Sequence, residues 1–220
     1  MPGERRTSNA SKGIFITFEG VEGSGKSTQV KLLHEYLEKR GYEVLPIREP
    51  GGTPIGDRIR SILLDPAFAD MDCNAELLLY MASRAQLVTD VIAPALAAGK
   101  IVICDRFTDS CLAYQGFGRG LPMDTITMLN DWVTKGLSPD LTFVLSLPIQ
   151  EGLCRATKSS ADRIEQEDID FHAKVENGYK VLARENPDRV RIVDAKESPE
   201  KIHQVLVGFV EGLLERGTTE

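Results

Sequence analysis

The chain has 220 residues, 42% apolar and 27% charged, a length and mix that suit one globular α/β domain with a sizeable core. Its 26 Lys and Arg against 33 Asp and Glu give a formal charge of −7, so most of the surface repels a polyanion and no nucleic-acid partner is expected. No apolar run approaches the ~20 residues of a membrane span, so no membrane partner is expected, and Cys73, Cys104, Cys111 and Cys154 form neither a disulfide framework nor a zinc spacing, as suits a reducing cytoplasm.

In chain order, residues 1–12 are polar and read as a flexible tail, and residues 13–216 as a single domain. Ile14 to Phe18 is a β-rich run of the buried parallel type. A Gly-rich turn leads into a helix over Lys26 to Arg40, where Val30, Leu33 and Leu37 recur at helical spacing and Gly41 stops the pattern. Tyr42 to Ile47 reads as a second strand and Ile55 to Leu64 as a short helix. Asn74 is the expected cap of a long helix reaching Ala98, with Leu77, Tyr80, Met81, Arg84, Leu87, Val88 and Val91 following a 3.6 period. Ile101 to Cys104 is a third strand running into Asp105, Leu141 to Leu147 a fourth and Val190 to Val193 a fifth. Helical patterns fill Asp124 to Thr134, Ile149 to Ala156, Phe171 to Glu185 and Pro199 to Leu214. The alternation predicts a doubly wound, parallel five-stranded sheet with helices on both faces. The polar stretch Thr157 to Asp168 is the candidate lid.

Gly20-Val21-Glu22-Gly23-Ser24-Gly25-Lys26-Ser27 matches G-x-x-x-x-G-K-[ST] between a strand and a helix, as in P-loop NTPases. The glycines let successive backbone N–H groups turn inward around a polyphosphate, and the following helix points its positive end at the same anion. Lys26 can reach the β- and γ-phosphates of ATP, Ser27 can bind Mg²⁺, and Thr28 completes the expected ATP-binding segment. Asp105, at the end of an apolar strand, suits a Mg²⁺ partner, with helix capping as its other reading. The guanine-specifying N-K-x-D pattern is absent, which argues against a GTP switch.

Arg48-Glu49-Pro50-Gly51-Gly52-Thr53, Asp105-Arg106-Phe107, Ala113-Tyr114-Gln115-Gly116 and Asp162-Arg163-Ile164-Glu165 follow in this order behind the phosphate loop. Together they resemble the bacterial thymidylate kinases over roughly Ile14 to Val210. The resemblance implies phosphoryl transfer from Mg-ATP to dTMP, giving ADP and dTDP, in a cytoplasmic homodimer. It places Arg48 and Arg106 on the dTMP phosphate, Tyr80 against the thymine ring, Arg84 on a base carbonyl and Gln115 on the ring edge. It puts Glu22 on the sugar 3′-hydroxyl, Cys111 beside the base, a cis peptide bond before Pro50 and Arg155 against adenine. Tyr80, Cys111 and Ser146 depart from the Phe, Ser and Asp that are common in the family. The loop interior carries no basic residue before Lys26, so the lid is expected to supply the missing cation, chiefly Arg163 with a smaller share from Lys158. The other reading of Arg163 is a pair with Glu165 or Glu167. Lys26, Asp105, Arg106 and Arg163 are thus the expected catalytic set.

Two alternatives stand beside this reading. One is a kinase for another monophosphate, such as dUMP, UMP or AMP, against which Tyr80, Arg84 and Gln115 favour a thymine-like pyrimidine. The other is a nucleotide-binding regulator without turnover, against which Lys26, Arg48 and Arg106 are all present.

Overall fold

A computed structural model describes residues 13–156 and 161–217. The tail and four lid residues, Thr157 to Ser160 with Lys158 among them, lie outside the described residues. Strands β1 (Ile14–Glu19), β2 (Val44–Arg48), β3 (Ile101–Asp105), β4 (Leu141–Ser146) and β5 (Val190–Asp194) form one sheet in the order β2-β3-β1-β4-β5. Every neighbouring pair is parallel, as the alternation of strands and helices predicts. The helices are α1 (Lys26–Lys39), α2 (Pro54–Leu64), α3 (Cys73–Leu87), α4 (Ala93–Ala97), α5 (Thr108–Cys111), α6 (Met123–Thr134), α7 (Ile149–Ala156), α8 (Ile169–Glu185) and α9 (Pro199–Gly217).

The two-residue period of the strands divides the core. Ile16, Phe18, Ile103, Phe143 and Leu145 pack with Leu33 and Leu37 of α1 and Leu206 and Val210 of α9. Phe15, Val102 and Cys104 face the other way, onto Leu87, Val88 and Ile92. Val144 and Val190 meet Val175, Tyr179 and Leu182 of α8. Each fully buried Leu, Ile or Phe contributes about 1.5–3 kcal/mol by leaving water. Because β1 lies between β3 and β4, its carboxyl end opens where the strand order reverses, which is where such sheets bind ligands.

Local chemistry moves two expected features. The cap of α3 is Asp72, whose carboxylate accepts from the Asn74 and Ala75 N–H groups at 2.9 and 3.3 Å; Asn74 lies inside the first turn. The expected long helix is interrupted by a π segment, Val88–Ile92. The wider turn shifts the phase of the pattern, so Ile92 and Ala95 are buried in the core while Val91 packs half-buried at its edge. A second π segment, Leu112–Gly118, follows α5 and carries Tyr114 and Gln115; its irregular turn and two glycines hide it from a 3.6-residue reading.

Candidate active site

β1 ends at Glu19 and the phosphate loop begins. Gly20, Gly23 and Gly25 all have positive φ, at 128°, 67° and 93°, and Gly25 is the left-handed residue that opens α1. A side chain at Gly23 would collide with the backbone carbonyl of Gly152, so α7 rests directly on the loop. The Lys26 ammonium is buried and donates to the Gly20 and Val21 carbonyls at 3.0 and 2.9 Å. Burial, then the charge of Arg106, lowers its pKa to about 8 against the pull of Asp105, Glu22 and Glu19. Ser27 Oγ donates to Asp105 Oδ2 at 2.9 Å. This hydroxyl–carboxylate pair offers hard oxygen donors of the kind Mg²⁺ accepts alongside substrate phosphates and water. Among the described residues, no group of three His, Cys, Asp or Glu side chains could hold a metal alone.

A cavity of about 290 Å³ opens beside Lys26 and Ser27 at the carboxyl ends of β2 and β3. Arg48, Arg60 and Arg106 line it together with Pro50, and the Glu49–Pro50 peptide bond is cis, as the resemblance implies. Burial, then the neighbouring charge of Arg48, lowers the pKa of Arg60, a sign of cations crowded into one place. Arg106 has φ 72°, a left-handed conformation unusual for a side chain of its size. Its guanidinium pairs with Glu22 at 2.7 Å and lies 4.9 Å from the centre of the Tyr114 ring. Glu22 also accepts from the Tyr114 hydroxyl at 2.8 Å. Beneath them Glu19 accepts from the Phe107 N–H, the Ser110 hydroxyl and the Tyr179 hydroxyl. Burial, then the charge of Asp109, pushes its pKa up to about 7.

Tyr80, Cys111 and Gln115, the residues expected near a base, also line this cavity. Arg84 departs from the expectation. It is buried, and all five of its N–H donors are used by Glu49, Cys111, Asn130 and the Phe107 carbonyl. In this structure it braces Cys111 and the Glu49–Pro50 segment from behind, with every donor engaged by the protein.

Arg163 departs further. Its Nε donates to the Leu63 carbonyl at 2.8 Å, and its guanidinium meets Glu76 at 2.5 Å, an ion pair out of line for a hydrogen bond. Neither Glu165 nor Glu167 is its partner, and the side chain does not line the cavity, whereas its neighbours Asp162 and Ile164 do. The described part of the expected lid is stitched to the end of α2, so Arg163 cannot cover a phosphate without breaking a buried pair. Arg155 is exposed on α7, paired with Glu151, and its Cβ lies against the Gly23 site of the loop.

Arg60 and Glu76 escape the motif reading. Arg60 follows Gly56 by four residues and precedes Leu63 by three, so a cation sits on the buried face of α2. Glu76 precedes Tyr80 by four residues and Arg84 by eight, on the face of α3 that turns to the site. In each case a charge on an otherwise buried stripe was the available signal.

The family model described as thymidylate kinase matches residues 18–206. A thymidylate kinase of Halothermothrix orenii is 50% identical over 207 residues, covering 92% of this chain and 99% of that protein. One from Desulfovibrio desulfuricans is 46% identical over 211 residues, covering 92% and 97%. The crystal structure of thymidylate kinase from Ehrlichia chaffeensis superposes with a TM-score of 0.73 at 35% identity, over 90% of this chain and 98% of that one. With its phosphate loop beside a cation-lined cavity, the chain belongs to the thymidylate kinase family, whose ATP-dependent reaction converts dTMP to dTDP.

Proposed function

We propose that ATP lies along the Gly20–Ser27 loop and that the dTMP phosphate lies under Arg48, Arg60 and Arg106, in line for transfer. The observation that carries this assignment is the gathering of three guanidinium groups and Lys26 around one cavity. Like charges brought together out of water repel unless an anion joins them, and a phosphate monoester and a triphosphate are such anions. Lys26 supports the charge that builds on the transferring group. Ser27 and Asp105 would hold Mg²⁺, which neutralises phosphate charge; Asp105 is given no base role. Tyr80, Cys111 and Gln115 face the thymine, Glu22 reaches the sugar hydroxyl while steadying Arg106, and Arg155 meets the adenine side of ATP. An exposed pair such as Arg155–Glu151 is worth little and exchanges readily for a ligand.

A coupled ADP-release assay over dTMP, dUMP, UMP and AMP tests the assignment. dTMP should exceed dUMP, because one methyl group in an apolar pocket is worth about 1–3 kcal/mol. AMP as the best acceptor would refute the base wall.

We also propose a homodimer. α3 and α6 pack side by side and together leave Leu78, Met128 and Trp132 exposed, Trp132 to 76%. Aromatic and Met side chains on one face are what a second copy would cover. Light scattering at micromolar concentration should report a dimer, and Trp132→Glu should shift it toward monomer. A reducing cytoplasm is the proposed compartment: Cys154 is an exposed free thiol, and no described helix is long and apolar enough to cross a membrane.

A further inference from the structure

We infer that Glu76 sets base specificity by locking the Gln115 side-chain amide with its carbonyl oxygen toward the cavity, which makes Glu76 a positioning residue for the acceptor ring. The inference rests on the proposed base wall of Tyr80, Cys111 and Gln115. Glu76 is fully buried, and its carboxylate is gripped on both oxygens. Oε1 accepts from Gln115 Nε2 at 2.9 Å and from Arg119 Nε at 3.2 Å. Oε2 accepts from Arg119 Nη2 at 3.0 Å and faces Arg163 at 2.5 Å. Arg119 is itself held by Glu167 at 2.6 Å. Burial alone would raise the Glu76 pKa, but the bonds from Arg119 and Gln115 and the charges of Arg119 and Arg163 turn the shift downward. The group is therefore an ionised carboxylate held between two guanidiniums, unable to rotate away.

An ionised carboxylate only accepts hydrogen bonds. It can be met by the NH₂ end of an amide and not by the oxygen, so the two faces of Gln115 are no longer interchangeable. No hydrogen bond from another described residue meets the Gln115 side-chain oxygen, and the residue lines the cavity. The wall thus presents a fixed acceptor. A pyrimidine with a ring N3–H, thymine or uracil, satisfies it. Cytosine presents a lone pair at N3 and is repelled, leaving a buried polar atom without a partner. Discrimination against cytosine comes from a charge that itself touches no substrate.

The test is kcat/KM for dTMP and for dCMP in the full-length enzyme, its E76Q and Q115A variants and the double variant. E76Q keeps the shape but replaces an acceptor-only group with one that can also donate, so Gln115 is free to turn. The dTMP:dCMP ratio should fall about 10-fold or more in E76Q, and the double variant should fall no further than Q115A alone. A general loss of structure would lower both acceptors together and leave the ratio alone. An unchanged ratio in E76Q beside a lowered ratio in Q115A would overturn the role of Glu76 and leave the base wall standing. An unchanged ratio in Q115A would overturn the base wall and the inference with it. The unsubstituted enzyme supplies an independent readout, which stands even where E76Q does not fold. The Gln115 side-chain NH₂, assigned by its disappearance in Q115A, should exchange slowly with solvent, and rapid exchange would refute the lock.

Discussion

The two sides of the cavity are built by different means. On the proposed donor side the phosphate loop is shaped by glycines and backbone groups within eight consecutive residues, and its one cation, Lys26, bonds to groups of that same loop, the Gly20 and Val21 carbonyls and the Ser24 hydroxyl. On the proposed acceptor side the working groups are held by side chains far apart in sequence. Arg84 is fixed by Glu49, Phe107, Cys111 and Asn130, and Glu76 ties together Gln115, Arg119 and Arg163. A polyphosphate needs only a ring of N–H groups and positive charge, which a short loop can offer. Telling one base from another needs donors and acceptors that cannot turn, and that takes braces from several elements.

The contrast makes substitutions on the two sides fail differently. The largest effect is expected at Arg84. Arg84→Leu leaves the buried Glu49 carboxylate without its partner and should lower unfolding free energy by about 3–5 kcal/mol, read by urea denaturation. A midpoint close to that of the unsubstituted enzyme would mean that Glu49 is not held by this pair. Next comes Lys26→Ala, which should reduce kcat by about 10²-fold or more, equivalent to about 2.7 kcal/mol, while unfolding stays cooperative. Burial and Arg106 place the free-enzyme pKa of Lys26 at about 8, so kcat/KM for ATP should decline as pH rises through that value and the ammonium loses its proton. A flat profile to pH 9.5 would separate the Lys26 charge from catalysis.

The comparison sharpens at Arg163 and Arg155. Arg163→Ala should cost about 1–3 kcal/mol of stability, because Glu76 keeps Arg119 but loses a buried partner. Arg155→Ala should leave melting unchanged and act on ATP kinetics alone. If Arg163→Ala instead lowered kcat with no change in melting, the acceptor-side brace would be a phosphate contact after all. The smallest effect is expected at Arg48 and Arg60, where each single replacement by Ala should raise the KM for dTMP about 10-fold, since the other two guanidiniums remain. The KM for ATP should not move.

How far the sequence could be read follows the same division. The strand–loop–helix signature of the phosphate loop is contiguous, and so are the Arg48–Thr53 and Asp105–Phe107 segments, so their placement at the carboxyl edge was legible. All five strands were legible because each is a short apolar run between turn residues. The partner of Arg163 was not, because Glu76 lies 87 positions away and Glu165 and Glu167 offered nearer carboxylates. Arg84 was placed on the correct helical face, yet which way its guanidinium pointed depended on Glu49, just after β2, and Asn130, far along the chain on α6. The π segments were invisible because a single widened turn changes no residue type, only the phase of the pattern.

Arg106 sits where the backbone would favour glycine and the proposed phosphate site requires a cation. Holding a non-glycine residue at φ 72° costs on the order of 1–3 kcal/mol. The two demands pull laboratory evolution in opposite directions. A screen for heat resistance alone should drift toward glycine or asparagine here and yield sturdy, inactive protein. A screen for growth on dTMP turnover should hold the arginine and accumulate its compensations elsewhere, in helix caps and core packing remote from the cavity. The same position then serves as a marker of which pressure a population of variants has experienced.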